Sequence, residues 1–138
     1  MIAVDASAVV AILAGEDDAR ELARALEAAS ASGAVILSTI NAWEAACGLA
    51  RIRRVSRIQA LAIVEQFAAI ARISLSPPDA ETLRLAVEAA ERFGKGGQGA
   101  VTVLNMGDCF AYATARRFQA RLLFKGDDFP QTDIEPAR

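Results

Sequence analysis

Five carboxylates in this sequence occupy positions from which they could act on one substrate. They are Asp5, Glu44, Asp108 and the adjacent pair Asp127 and Asp128. Asp5 directly follows a first short apolar run, Glu44 lies about two turns into the helical segment after a second run, and the pair lies just beyond a fourth. Asp108 begins the helical segment that leads into that fourth run. In open α/β sheets the functional crevice lies beyond the carboxyl ends of the strands, so these acids are expected to converge there.

Carboxylates that crowd together repel one another, and some take up protons unless a cation neutralises them. Oxygen ligands select hard divalent cations, Mg²⁺ or Mn²⁺, over zinc or copper. Such a cation lowers the pKa of a bound water and stabilises charge on a phosphodiester. Histidine is absent, which excludes Ser-His-Asp catalysis, Cys-His catalysis and His-ligated zinc. The residues therefore indicate carboxylate chemistry and, with a cation, hydrolysis of a phosphodiester.

Each acid also has an ordinary structural interpretation. Asp5 and Asp108 suit the first turn of a helix, where free backbone N–H groups favour negative charge. Glu44 suits an exposed helix surface, and the pair Asp127 and Asp128 suits a turn. Each structural interpretation is adequate for one acid alone. For all the acids together, in these sequence contexts, a shared functional site is the better explanation.

Length and composition favour one domain, residues 1–138, with a packed core, because 54% of the residues are hydrophobic and 23% are charged. The net charge of −2 gives no global attraction to nucleic acid, so a polyanion has to be held by local basic clusters or bound cations. Cys47 and Cys109 are expected to be reduced thiols. No apolar run is long enough to span a bilayer, and the N-terminus lacks the basic segment of a signal peptide. We therefore expect a cytoplasmic protein without a membrane contact.

Short apolar runs alternate with helical segments, which favours a parallel sheet covered by helices on both faces. The predicted strands are 2–4, 34–37, 73–75 and 122–124, with a fifth short strand near Ile134. The predicted helices are 8–14, 17–30, 39–53, 55–73, 78–93 and 107–118. The sequence thus predicts an α/β domain whose central, mostly parallel sheet has four or five short strands flanked by helices.

Several side chains are expected in the core or on basic surfaces. The helix at 55–73 is predicted to bury the stripe Ile58, Leu61, Ala62, Phe67 and Ile70. Core positions are also predicted for five aromatic residues, with base stacking as the alternative: Trp43, Phe110, Tyr112, Phe118 and Phe124. Two basic clusters suit either a solvated helix face or contact with phosphates: Arg51, Arg53, Arg54 and Arg57, and then Arg116, Arg117, Arg121 and Lys125.

The acids lie in motifs that resemble those of PIN-domain ribonucleases and, more closely, the VapC toxins of bacterial toxin–antitoxin pairs. The motifs are Val4-Asp5-Ala6-Ser7-Ala8, Glu44 on the second long helix, Asn105-Met106-Gly107-Asp108-Cys109-Phe110-Ala111-Tyr112-Ala113, and Leu123-Phe124-Lys125-Gly126-Asp127-Asp128-Phe129. The likeness runs from Ile2 to about Ile134. Ser7, inside the first motif, matches a small hydroxyl residue that can bond a carboxylate or a water.

The resemblance implies a PIN-like three-layer sandwich and a Mg²⁺- or Mn²⁺-dependent endoribonuclease. It also implies a VapB-type antitoxin as partner, RNA as substrate and a homodimer. Asp5 and Asp108 match the acids that bind metal directly, and Glu44 matches a third acid that binds metal directly or through water. The turn is ambiguous by one residue, so the fourth acid is predicted to be Asp127, with Asp128 as the alternative.

Two other functions fit parts of the pattern. A receiver-like phospho-acceptor signalling domain also gathers acids at strand ends, but it usually needs an acidic pair directly after the first strand, where Asp5 stands alone. A catalytically inactive PIN-fold binding module would keep the fold for partner contacts, and the presence of all four acids argues against it.

Overall fold

A four-stranded parallel sheet lies at the centre of the computed structural model, which describes residues 1–138. The strands are β1 (Ile2–Val4), β2 (Val35–Ser38), β3 (Ile73–Ser76) and β4 (Arg121–Leu123). The helices are α1 (Ala6–Ala14), α2 (Ala19–Ser32), α3 (Thr39–Arg53), α4 (Arg57–Ile70), α5 (Ala80–Phe93) and α6 (Met106–Arg117), followed by a 3-10 helix at Phe129–Gln131.

The order of the strands brings the predicted acidic segments to one edge of the sheet. The order is β3-β2-β1-β4, so β1 lies between β2 and β4. Ile2 pairs with Val35 on one side and with Arg121 on the other, and all neighbours are parallel. The carboxyl ends of β1, β2 and β4 are therefore adjacent, and the segments that follow them leave the sheet side by side.

Apolar side chains pack on both faces of the sheet and produce three layers. Ile2, Val4 and Leu37 belong to a core cluster shared with α1, α2, α3 and α4. Ala3 and Leu122 point to the opposite face and belong to a second cluster with α5 and α6. Because successive strand residues face opposite sides, both faces of these short strands are buried. The predicted three-layer α/β sandwich with a parallel sheet is confirmed.

Three expectations about the periphery are wrong. The fifth strand near Ile134 does not form, because the segment after β4 turns through the 3-10 helix and only Pro136 makes an isolated bridge with Leu122. Trp43 is not in the core, since 63% of its surface is exposed. The stripe predicted to be buried on α4 is also wrong, because Ile58, Leu61 and Ile70 are exposed.

Helix α4 buries a face of small side chains and leaves larger ones at the surface. Its buried residues are Ala60, Val64 and Ala68, spaced four apart along one face. Ile58 is 81% exposed and Ile70 is 75% exposed. Apolar residues lie on every side of α4, so hydrophobic periodicity alone does not show which face is buried. The face that packs against the core is the one with the small side chains.

None of the helices combines the length and the apolar character needed to cross a membrane.

Candidate active site

Asp5 is buried at the point where β1 ends and α1 begins. It is 3% exposed and forms the N-cap of α1, with its Oδ2 accepting hydrogen bonds from the Ser7 backbone N–H at 2.9 Å and the Ser7 hydroxyl at 2.5 Å. Its Oδ1 is buried and has no hydrogen-bond partner. Burial raises the pKa of Asp5 above the ordinary value, although the bonds from Ser7 oppose that rise.

Glu44 is held in place by a buried amide from its own helix. Ser38 caps α3 by accepting a hydrogen bond from the Asn41 backbone N–H at 3.0 Å, and its hydroxyl donates to Asn41 Oδ1 at 2.6 Å. The Asn41 Nδ2 group then donates to Glu44 Oε1 at 3.0 Å and to the carbonyl of Gly107 at 3.0 Å. Asn41 is fully buried, so this one amide links Glu44 on α3 to the first turn of α6.

The carboxylate of Glu44 lies directly against the backbone of Gly107. A Cβ placed on Gly107 would overlap with all three atoms of that carboxylate group. Burial raises the pKa of Glu44 to about 7, and the negative charges of Asp5 and Asp108 add to the rise, whereas the bond from Asn41 opposes it. Any larger residue at position 107 would therefore force the Glu44 carboxylate to move.

Asp108 lies in the first turn of α6, as the sequence predicts. Asn105 caps this helix, its side chain accepting from the Asp108 backbone N–H at 2.9 Å, while Asp108 Oδ2 accepts from the Asn105 backbone N–H at 3.0 Å. Burial raises the pKa of Asp108 to about 6, the charges of Asp5 and Asp128 contribute, and Lys95 partly offsets them. The Asp108 side chain therefore both caps α6 and belongs to the acidic cluster.

The turn after β4 carries the remaining acids, and they differ in their effect on the cluster. The charge of Asp128 raises the pKa of both Asp5 and Asp108, whereas Asp127 does not figure among the charges that act on them. The turn is tied to Asp5 through Ser7, whose hydroxyl accepts from the Lys125 backbone N–H at 3.0 Å. This electrostatic contribution favours Asp128, the alternative of the sequence prediction, while Asp127 and Asp128 both stay candidates for the fourth acid.

The structure thus brings Asp5, Glu44, Asp108 and Asp128 into one electrostatic cluster. No three of these side chains form a ready-made metal site. Their carboxylates accept hydrogen bonds from Ser7, Asn41 and the Asn105 backbone. Two features nevertheless fit a hard cation. The Asp5 Oδ1 atom is buried without a partner, and the donors are oxygens whose mutual repulsion a cation would relieve.

Comparison with known proteins identifies the family. The family model of the PIN domain matches residues 2–135. The chain belongs to the PIN-domain family. Ribonuclease VapC42 of Mycobacterium tuberculosis is 37% identical to this PIN domain over 134 residues, which cover 97% of each chain. A VapC ribonuclease of Rhizobium meliloti is 35% identical over 141 residues, covering 95% of this chain and 97% of its own. The resemblance drawn from the motifs is confirmed.

The fold of this PIN domain also matches a solved VapC structure. The crystal structure of Mycobacterium tuberculosis VapC20, described as a Sarcin-Ricin loop cleaving toxin, has a TM-score of 0.70 and covers 97% of this chain and 96% of its own. The two sequences are 19% identical, so this likeness concerns the fold.

Asn41 is the residue of this PIN domain that sequence reasoning missed. Its contact with Glu44 could have been predicted, because residues three apart in a helix lie on the same face. Its hydrogen bond to the Gly107 carbonyl, by contrast, joins residues that are 66 positions apart in the sequence. No local pattern predicts such a contact.

Proposed function

We propose that this protein is a Mg²⁺- or Mn²⁺-dependent endoribonuclease that hydrolyses RNA phosphodiester bonds. The observation that carries the proposal is the coupling of four carboxylates from distant parts of the chain, with the pKa of Glu44 raised to about 7 and that of Asp108 to about 6. Acids whose pKa values are raised by burial and by one another's charges are typical of functional sites. The similarity of the chain to VapC ribonucleases of Mycobacterium tuberculosis and Rhizobium meliloti supports RNA as the substrate.

Asp5 and Asp108 would hold the cation, and Asp128 would complete the site. When bound, the cation would polarise the scissile phosphate and lower the pKa of a water. Glu44 would accept the proton of that water, since Asn41 holds its Oε1 and leaves Oε2 for the transfer. Ser7 fixes the Asp5 carboxylate through two hydrogen bonds and also holds the turn that bears Asp128.

The test is cleavage of structured RNAs, including a sarcin–ricin loop hairpin, with Mg²⁺ or Mn²⁺ and with a chelator. We expect cleavage that the chelator stops and that Asp5→Asn and Asp108→Asn each abolish. Asp17→Asn is the matched control, because Asp17 is exposed and takes part in no salt bridge. Cleavage that persists in the chelator would overturn metal dependence, and intact RNA binding without any cleavage would indicate an inactive binding module.

We also propose that the protein is the toxin of a pair with a VapB-type antitoxin and that it forms a homodimer. Support comes from the VapC relatives. Expression of the wild-type chain alone should stop bacterial growth, whereas the Asp5→Asn chain, or the wild-type chain co-expressed with its antitoxin, should not. Light scattering of the purified protein tests the dimer, which a monomeric mass would contradict.

A further inference from the structure

The exposed indole of Trp43 stands beside the acidic cluster. Trp43 is the chain's single tryptophan, is 63% exposed and directly precedes Glu44 in α3. Tryptophan is usually well buried in folded proteins, and an exposed indole offers a flat face on which a nucleic-acid base can stack. Glu44 turns towards α6 and the other acids, while Trp43 opens onto the neighbouring surface of the same helix.

A groove with two arginines begins at Trp43. It has a volume of 760 Å³, lies between α3 and the start of α4, and is lined by Trp43, Arg51, Arg57 and Ile58 among others. Trp43, Cys47 and Arg51 are spaced four apart along α3, so Arg51 lies about 12 Å further along the helix axis than Trp43 at 1.5 Å per residue. The groove therefore leads away from the carboxylates and carries positive charge along its length.

The arginines of this region have no acidic partner. Four exposed arginines cluster there, and none of them forms a salt bridge: Arg51, Arg53, Arg54 and Arg57. Arg53 donates to the Leu13 carbonyl. In the second basic cluster, by contrast, Arg116, Arg117 and Lys125 pair with acids of the chain. The protein carries a net charge of −2, so the unpaired positive charge at the groove is a local feature.

We propose that this groove binds the single-stranded RNA segment next to the cleavage site, with a base stacked on Trp43 and with Arg51 and Arg57 against phosphates. An aromatic platform combined with arginines that follow the backbone is the usual way in which proteins hold unpaired nucleotides. The inference rests on the proposed ribonuclease function and extends it, because it assigns a substrate-binding surface and requires the RNA beside the cut to be unpaired.

Charge favours RNA over a protein as the occupant of the groove. A second copy of this chain would face the groove with the same arginines across a two-fold interface, and juxtaposed like charges oppose such an association. Another protein would have to supply a separate carboxylate for each arginine. A polynucleotide meets them all with one continuous backbone, and Ile58 and Trp43 offer apolar surface to its bases.

Trp43 itself can report the binding, since no other tryptophan contributes to the fluorescence. Two samples are titrated: the wild-type chain in the presence of a chelator, and the Asp5→Asn variant. Each is titrated with a single-stranded oligouridylate, a duplex RNA and inorganic polyphosphate. We expect the single strand to quench the fluorescence, with the duplex and polyphosphate quenching much less. Binding of labelled oligouridylate, followed by anisotropy, should weaken about 5- to 150-fold in Trp43→Ala, as expected for loss of one stacked base, and little in Trp43→Phe.

The arginine variants test the phosphate contacts independently of Trp43. Arg51→Gln and Arg57→Gln should each weaken oligouridylate binding. Each should also make the plot of log affinity against log salt less steep, by about the contribution of one phosphate contact. Arg24→Gln is the matched control, because Arg24 is exposed on α2 and forms no salt bridge. If Trp43→Ala does not fold, the arginine variants and Trp43→Phe still decide the question.

Two results would overturn the inference, and they differ from failure of the ribonuclease proposal. Normal cleavage with unchanged Trp43 fluorescence and unchanged affinity in the groove variants would place the RNA elsewhere and leave the ribonuclease proposal standing. Variants that alter the oligomeric mass or antitoxin binding, with no effect on RNA affinity, would make the groove a protein interface. Neither binding nor cleavage of any RNA by the wild-type protein would reject the proposed function itself.

Discussion

The carboxylate of Glu44 lies against the Cα of Gly107, so an acid on α3 occupies the space that a side chain on α6 would need. Asn41 reinforces this contact, because its amide donates both to Glu44 and to the Gly107 carbonyl. The close approach of Glu44 to Gly107 therefore depends on the absence of a Cβ on Gly107.

Gly107→Ala should abolish most activity while leaving the protein folded. Alanine favours the helix by about 1 kcal/mol relative to glycine, but its Cβ would displace the Glu44 carboxylate from Asn41. A displacement of about 1 Å in a catalytic group can cost about 100-fold in rate. We expect a loss of that order in the RNA cleavage rate, measured beside thermal unfolding.

Gly48→Ala is the matched control for that substitution. Gly48 also lies within a helix, and a Cβ there would meet Val10 Cγ2 at 3.4 Å, which is close to ordinary contact. The Gly48→Ala protein should cleave RNA at the wild-type rate. Equal losses in both variants, or full activity in Gly107→Ala, would show that contact with Gly107 does not set the position of Glu44.

The two acids of the turn after β4 should differ in their importance. Both acids are exposed, but the charge of Asp128 contributes to the raised pKa values of Asp5 and Asp108, and Asp127 has no such effect among their main causes. Residues that support a metal site typically contribute about 10- to 100-fold in affinity or activity. Asp128→Asn should therefore lower cleavage by about that factor, and Asp127→Asn should stay near the wild-type rate. The opposite ranking in the same assay would identify Asp127 as the fourth acid.

The contrast between these neighbours shows what the sequence could and could not predict. Strand and helix order followed from the alternation of apolar runs, and Asp5 and Asp108 followed from their places at a strand end and a helix start. The identity of the fourth acid depends on how the turn after Lys125 folds back towards Ser7. That fold is determined by a contact between residues 118 positions apart, which no local pattern encodes.

The exposure of Trp43 was unpredictable for a related reason. Its helix has apolar residues on more than one face, and the faces that become buried are chosen by the small side chains that pack against the core. Hydrophobicity alone assigned Trp43 to the interior. The exposure of Trp43 therefore had to be read from the fold, and hydrophobicity alone could not supply it.

Ser7→Ala should reduce catalysis without affecting RNA binding. The Ser7 hydroxyl donates to Asp5 Oδ2 and accepts from the Lys125 backbone N–H, so it joins the first acid to the turn that bears Asp128. Its loss removes one bond that favours the charged form of Asp5 and leaves the Lys125 N–H without its acceptor. We expect the cleavage rate at saturating RNA to fall by about tenfold or more.

Ser32→Ala provides the control for Ser7→Ala, since Ser32 is exposed and its hydroxyl bonds only carbonyls of its own helix. Its cleavage rate should equal that of the wild-type protein. A Ser7→Ala protein whose maximal rate is unchanged, or whose defect lies only in RNA affinity, would remove Ser7 from the group of residues that position the acids.

The acidic cluster should make the cation-free protein less stable as the pH rises from about 4 to about 7. The pKa values of Glu44 and Asp108 rise on folding from 4.5 and 3.8 to about 7 and about 6. Between the ordinary and the raised values, the folded chain binds more protons than the unfolded chain, so the free energy of unfolding falls with increasing pH. Acids with lowered pKa, such as Asp79 at about 2, act below this window and do not obscure the effect.

Thermal unfolding at pH 5 and pH 8, with and without Mg²⁺, measures that effect. Glu44→Gln and Asp108→Asn should unfold at higher temperature than the wild-type protein at pH 8 without cation, because each removes one of the repelling charges. At pH 5 the advantage should shrink, since the folded wild-type chain is then largely protonated at these positions. On the proposed metal dependence, Mg²⁺ should stabilise the wild-type protein more at pH 8 than at pH 5, because carboxylate ligands bind metal in their ionised form. If both variants were destabilised at pH 8 and showed the wild-type pH dependence, the acids could not be repelling one another in the folded chain.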